Sequence, residues 1–168
     1  MRCEVVMINL PQSEISHKMK KDFNSKPLNR VTAICNNSRN EILFIKYKDA
    51  RNTNTMSLPG DFVRFGELAE EALQRSVLQQ TTLCVEPIEI LGIYSNIDNQ
   101  SGVHVIESVF VCIIINNAEM GLKIGSAQYV WMDRDQIENM ENSIYNIKIV
   151  KDYYSWRIQK STFWTTKI

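Results

Sequence analysis

The sequence predicts one α/β domain. Its central stretch, Leu58–Leu83 (LPGDFVRFGELAEEALQRSVLQQTTL), reads as a Pro-Gly turn, a short apolar strand piece at Phe62-Val63, a second turn at Gly66, and an amphipathic run from Glu67 that contains neither proline nor glycine. Strand-like apolar runs bounded by polar turns lie on both sides of it, and a helical pattern closes the chain. At 168 residues, with 44% apolar and 23% charged, the chain is long enough for one full core and ordinary for a globular domain. Strand, tight loop and helix in succession can hold a phosphate or a metal, and equally serve as plain scaffold, so the side chains must decide.

In chain order, Cys3–Leu10 reads as a strand closed by Pro11, and Ser13–Phe23 as a short helix capped by Ser13 with Ile15, Met19 and Phe23 on one face. His17 on that helix is expected to be an ordinary half-exposed histidine. Residues 1–29, ending in a polar connection at Asn24–Asn29, are expected to form an extension that covers a sheet edge or joins a dimer contact, ahead of a domain over 30–168. Arg30–Cys35 and Glu41–Lys48 are expected strands joined by a polar turn at Asn36–Asn40. The second alternates, with Ile42, Phe44 and Ile45 inward and Lys46 and Lys48 outward. Asp49–Thr55 is a polar loop from which Arg51 can reach a phosphate.

Beyond the central helix a strand is expected around Ile88–Tyr94, then a turn-rich loop at Asn96–Gly102 and a long apolar strand at His104–Asn116. Glu107 is a carboxylate inside that apolar run. Period-two alternation is expected to turn it outward beside Val105 and Val109; facing a pocket instead, it would serve as a ligand group. After a polar connection at Asn117–Gly125, Gln128–Met132 reads as a strand, Asp133–Met140 as a short helix and Ser143–Lys160 as the closing helix. Ile144, Ile147, Val150, Tyr154 and Ile158 form the expected buried stripe, and Tyr153, Trp156, Phe163 and Trp164 are aromatic surface expected to pack on the domain.

Several function classes are disfavoured. Lys+Arg and Asp+Glu number 19 each, so the formal net charge is zero and composition calls for neither nucleic acid nor an anionic membrane. The longest apolar run, Val109–Ile115, is far shorter than a membrane span, and Glu4 and Asn9 interrupt any signal-peptide pattern. Cysteines 3, 35, 84 and 112 show no CxxC spacing and no nearby histidine. Reduced, mostly buried thiols in a cytoplasmic protein are therefore expected rather than a zinc site. The phosphate-loop, HExxH, GxSxG and GxGxxG patterns are all missing.

The central stretch resembles the Nudix box: glycine, five residues, glutamate, seven residues, Arg-Glu, an aliphatic, any residue, Glu-Glu, any residue, glycine and an aliphatic. Asp61 stands at the box glycine with Gly60 just before it, Glu67 is the first glutamate, Arg75 the arginine, and Val77 and Leu83 the aliphatics. The chain departs from the box at Ser76, Gln79 and Gln80, where glutamates belong, and at Thr82, where glycine belongs. LGIYSN, a loop, Gly102-Val103-His104 and an aliphatic strand resemble the ADP-ribose pyrophosphatase-like branch, and Trp131–Ile137 is similar to that family's strand and short acidic helix. The resemblance spans roughly residues 30 to 158. It implies an α/β/α sandwich around a mixed sheet, opened by a hairpin, with Glu67 and Arg75 as an ion pair bracing loop against helix.

In that family the three helix glutamates hold divalent cations against a diphosphate. Helical spacing puts positions 76, 79 and 80 on one face, where three carboxylates would converge. Mg²⁺ is a hard ion that favours anionic oxygen, and serine and glutamine offer neutral oxygens only. Without that charge the site loses its means of generating a hydroxide nucleophile or acting as a Lewis acid. Glu70 and Glu71 do not substitute, because at about 100° per residue they point roughly 120° and 140° away from Ser76; Glu71 is expected to pair with Arg75 on the solvent side.

The resemblance thus implies three readings. The first is a catalytically impaired domain that binds a nucleoside-diphosphate-linked ligand such as ADP-ribose, with Arg51, Gly60, Asp61 and Glu107 as candidate contacts and no metal or other cofactor. The second is an active Mg²⁺- or Mn²⁺-dependent pyrophosphohydrolase of such compounds, with displaced acids such as Glu67 and Glu107 holding the metal. The third is a protein-association domain with a vestigial pocket, forming a homodimer or a partner complex.

Overall fold

A computed structural model describes residues 26–48, 54–97, 103–117, 128–160 and 163–165. Strands β1 (Leu28–Cys35), β4 (Gly60–Phe62), β5 (Leu83–Ile97), β6 (His104–Asn117) and β8 (Phe163–Thr165) form a five-stranded sheet in the order β4-β1-β6-β5-β8. It is mixed: β1 runs parallel to β6 and antiparallel to β4, while β5 runs antiparallel to β6 and parallel to β8. Strands β2 (Ile42–Lys48), β3 (Asn54–Ser57) and β7 (Gln128–Met132) form an antiparallel sheet in the order β3-β2-β7. The helices are α1 (Ala69–Thr81), α2 (Arg134–Asn139) and α3 (Ile147–Gln159).

Two apolar clusters hold these layers together. Ala72, Leu73 and Val77 of α1 pack with Val31, Ala33 and Cys35 of β1 and with Leu43. Ile149, Val150, Tyr153 and Trp156 of α3 pack with Ile34, Tyr94, Val109 and Val111. Alternate residues of β1 therefore enter different clusters, so the sheet is covered on both faces and the layers run helix, sheet, helix. Double coverage also explains β2. Ile42, Leu43, Phe44 and Ile45 are all buried, so Leu43 is core as well and the expected alternation is absent.

The expected opening hairpin is not a regular one. β1 and β2 meet through a single bridge, Asn36 to Ile42, and then diverge into separate sheets. The reason is that β4 and β6 already occupy both edges of β1. β5 begins at Leu83, well ahead of Ile88. Thr82 adopts a left-handed conformation at the end of α1, and the chain enters the strand at once, with register shifts beside Pro87. β3 lies partly in the stretch read as loop, and β8 in the aromatic tail.

The closing helix also differs from expectation. Residues 141–143 form a 3-10 turn, Ile144 bridges to Met56, and α3 starts only at Ile147. Its buried face is Ile149, Val150, Tyr153 and Trp156, while Tyr154 is half-buried and Ile158 is exposed. Tyr153 and Trp156 stack with ring centroids 5.8 Å apart. Burying that pair removes more apolar area from water than burying Tyr154 and Ile158, and this rotates the helix.

Cys35 and Cys112 are buried, Cys84 is half-buried, and all three are free thiols. Among the described residues no helix is long and apolar enough to cross a membrane. The expected elements at Cys3–Leu10 and Ser13–Phe23, together with Cys3, His17 and Arg51, lie outside the described residues.

Candidate functional site

The site is built on the turn from β4 into α1. Glu71 Oε2 accepts from the Leu68 N–H at 3.0 Å and closes the first turn of the helix, so Glu71 is a cap and not the partner of Arg75. Arg75 reaches back over the loop. Its Nε and Nη2 donate to the two oxygens of Glu67 at 2.6 and 2.9 Å, Nη1 donates to Asp61 Oδ2 at 3.0 Å, and Nη2 also donates to the Phe62 carbonyl at 3.1 Å. Glu67 Oε2 further accepts from the Arg64 N–H at 3.0 Å. A planar guanidinium suits this fork-to-fork grip, and one side chain thereby fixes strand, loop and helix.

The grip has a pH signature. The hydrogen bond from Arg75 holds the Glu67 carboxyl below its ordinary range, and Glu67 in turn holds the Arg75 guanidinium above its own. A carboxylate with a lowered folded-state pKa contributes stability that is present above its unfolded value and is lost as pH falls through the folded value. Urea midpoints are expected to decline as pH is taken below about 4. In Glu67→Gln the parent's excess loss over this acid range is expected to shrink; an unchanged acid limb would show that the pair contributes nothing.

Of the three positions where the box carries glutamates, Ser76 and Gln80 are closed on the protein itself and Gln79 is exposed. Ser76 is 1% exposed and its hydroxyl donates to the Leu73 carbonyl at 2.9 Å. Gln79 Oε1 accepts a long 3.4 Å bond from Arg75 Nη1. Gln80 forms a two-point latch: its Oε1 accepts from the Gly60 N–H at 3.1 Å and its Nε2 donates to the Gly60 carbonyl at 3.0 Å. A carboxylate cannot make the second of those bonds, because it has no donor. Gly60 is itself wedged against β1: a Cβ there would lie 2.2 Å from the Val31 carbonyl oxygen.

A divalent metal, which the resemblance implies on this face, does not fit these donors. Their oxygens are neutral, that of Gln80 is committed, and the nearby acids Glu67 and Asp61 are paired with Arg75. Among the described residues no three His, Cys, Asp or Glu side chains come together as metal ligands.

Glu107 is not outward-facing. It is 2% exposed and lies on the same side of β6 as Val109 and Val111, beneath α3. The alternation itself is regular, but β6 is an interior strand, and at Glu107 its inner side lies against Asn146 at the start of α3 and not against solvent. Its charge is accommodated by three donors: the Thr32 hydroxyl on one oxygen, Asn146 Nδ2 at 2.9 Å on the other, and Arg30 Nε at 3.1 Å. Asn146 holds a left-handed backbone, φ 61°, and sends its side chain to Glu107 instead of capping α3. The Arg30 guanidinium carbon lies 6.0 Å from the centre of the Phe62 ring.

The structure therefore brings Gly60, Asp61, Glu67, Arg75, Gln79 and Gln80 together, and turns Ser76 into the α1 core. Both backbone groups of Gly60 and the facing carboxylate oxygen of Asp61 are already engaged. Glu107 belongs to a second cluster one rung away, since Arg30 pairs with Phe62 and Thr32 with Gly60 along β1 and β4. No local pattern in the sequence marks Arg30, Thr32, Phe62 or Asn146 as site residues. The available signal was Glu107 itself, since an acid inside an apolar strand demands donors from its neighbours.

The NUDIX domain family matches residues 26–153 of the chain. An ADP-ribose pyrophosphatase of Methanocaldococcus jannaschii is 33% identical over 120 residues, which cover 70% of this chain and 68% of that relative. Among solved structures, a NUDIX hydrolase from Nitrosomonas europaea aligns with a TM-score of 0.71 at 17% identity, over 82% of this chain and 97% of that one. A MutT protein from Methanosarcina mazei Go1 aligns with a TM-score of 0.62 at 23% identity, over 82% and 99%. These structures share the fold, a mixed sheet flanked by helices.

Proposed function

This chain belongs to the Nudix family, and from that premise we propose that it binds a nucleoside diphosphate linked to a further group, of the ADP-ribose kind, without cleaving it through a divalent metal. The observation that carries the second half is the Gln80 latch on Gly60, which commits the glutamine's oxygen and its nitrogen to the loop. Identity to an ADP-ribose pyrophosphatase supports the ligand class. The intact grip of Arg75 on Glu67 and Asp61 supports it too, because it keeps the turn in a fixed shape while the carboxylates that would hold a metal are gone.

Calorimetry of the full chain tests this. With EDTA present, ADP-ribose or another sugar-linked nucleoside diphosphate is expected to give saturable heat, and replacing EDTA with Mg²⁺ is expected to change the affinity by no more than about twofold. Prolonged incubation at high protein concentration is expected to release no mononucleotide. Saturation by no member of the panel would defeat the binding reading. Mn²⁺- or Mg²⁺-dependent release of AMP would establish the hydrolase alternative, which the same identity to an enzyme favours.

A further inference from the structure

Arg30, which pairs with Phe62 across β1 and β4, is a partly exposed charged side chain next to the strand that carries the latch. Its Nε faces Glu107 at 3.1 Å and Thr32 Oγ1 at 3.4 Å, and among the described residues no acceptor takes its two terminal nitrogens. The side chain is 21% exposed, and the Phe62 ring beside it is 38% exposed. The carboxylate behind it is fixed in turn by Thr32 and by Asn146. The result is a fork of two N–H donors held at a set angle next to a partly open aromatic ring.

We propose that this fork reads the base of the bound nucleotide, and that it selects a base edge carrying two adjacent acceptors, as guanine and hypoxanthine do with O6 and N7. The proposal deepens the nucleotide-binding reading above and rests on it. Charge decides between a base and a phosphate. Glu107 balances the guanidinium, so a phosphate on the fork would meet a buried carboxylate just behind it and lose most of the attraction. A neutral carbonyl and ring nitrogen, which carry no net charge to be repelled, lose far less by that balance. Geometry decides between bases. A guanidinium fork bonds both acceptors of guanine, whereas adenine presents an acceptor beside a donor and uses only one arm. Phe62 adds a flat apolar surface for the ring.

The test is calorimetry of the full chain in EDTA with GDP, IDP, ADP and inorganic pyrophosphate. GDP and IDP are expected to bind about tenfold more tightly than ADP, and pyrophosphate more weakly than all three. Arg30→Lys keeps the charge and removes the fork, so it is expected to bring GDP and IDP down to the level of ADP while leaving ADP within about twofold. Phe62→Leu is expected to weaken all three nucleotides alike. Equal or tighter binding of ADP in the parent protein overturns the proposal on its own, whatever the variants do. So does a preference that survives Arg30→Lys. Failure of every nucleotide to bind defeats the broader reading along with this one, whereas binding without a guanine preference defeats this one alone.

Discussion

Gly60→Ala is expected to cost the protein a large share of its stability. The added Cβ would lie 2.2 Å from the Val31 carbonyl oxygen and 2.9 Å from Thr32 Cα, and both are backbone atoms of β1. β1 cannot retreat, because β6 pairs with its other edge along the whole strand. β4 would have to leave instead, giving up its pairing with β1 and the Gln80 latch. Overpacking against a fixed backbone together with lost hydrogen bonds costs about 3–5 kcal/mol, against a total of about 5–15 kcal/mol for a domain. Urea melts are expected to show a midpoint far below the parent's, lower by about a third to a half for a parent of about 10 kcal/mol. Gly66 supplies the comparison. It has a positive φ of 80° but nothing within 4 Å of a built Cβ, so Gly66→Ala is expected to cost only about 1 kcal/mol of backbone strain. If the two variants melt alike, the crowding between β4 and β1 is not what makes Gly60 necessary.

The contrast between these glycines also marks what local sequence can and cannot disclose. The turn at Gly66, the start of α1 near Glu67 and the spacing from Glu67 to Arg75 are set by residues close together in the chain, so they were legible. That Gly60 is wedged on Val31 depends on a strand pairing across some thirty positions, which no local pattern carries. The same holds for β1 and β2. The turn between them was visible, but the capture of both edges of β1 by β4 and β6 was not, and that capture sends β2 to another sheet. Glu107 is the clearest case. Its period-two position was readable, but whether the inner or the outer side of an interior strand is wet depends on α3, which packs there from forty residues away. In α3 itself the apolar residues allowed two neighbouring stripes, and the stacking of Tyr153 on Trp156 selects between them.

Rebuilding the missing carboxylates as Ser76→Glu, Gln79→Glu and Gln80→Glu is expected to create a metal-dependent protein. Each change has a stated cost without metal. At position 76 a carboxylate would enter a spot that is 1% exposed, where the present hydroxyl has only the Leu73 carbonyl for company. At position 80 the bond to the Gly60 carbonyl is lost and an oxygen takes the place of its donor. At position 79 a third negative charge joins the others on the same helix face. In EDTA the triple variant is therefore expected to melt well below the parent, because a buried charge without a counter-ion is among the most destabilising changes available. A divalent cation supplies that counter-ion. At a concentration about a hundred times its dissociation constant it returns about 2.7 kcal/mol, or roughly 5–10 °C in Tm for a chain of this size. The parent, with neutral side chains at all three positions, is expected to show no such gain under the same titration with Mg²⁺ or Mn²⁺. The parent's response decides the matter. If it too rises by several degrees, then amide and hydroxyl oxygens suffice to hold the ion, the latch on Gly60 must open to admit it, and the metal-free reading of this site is wrong.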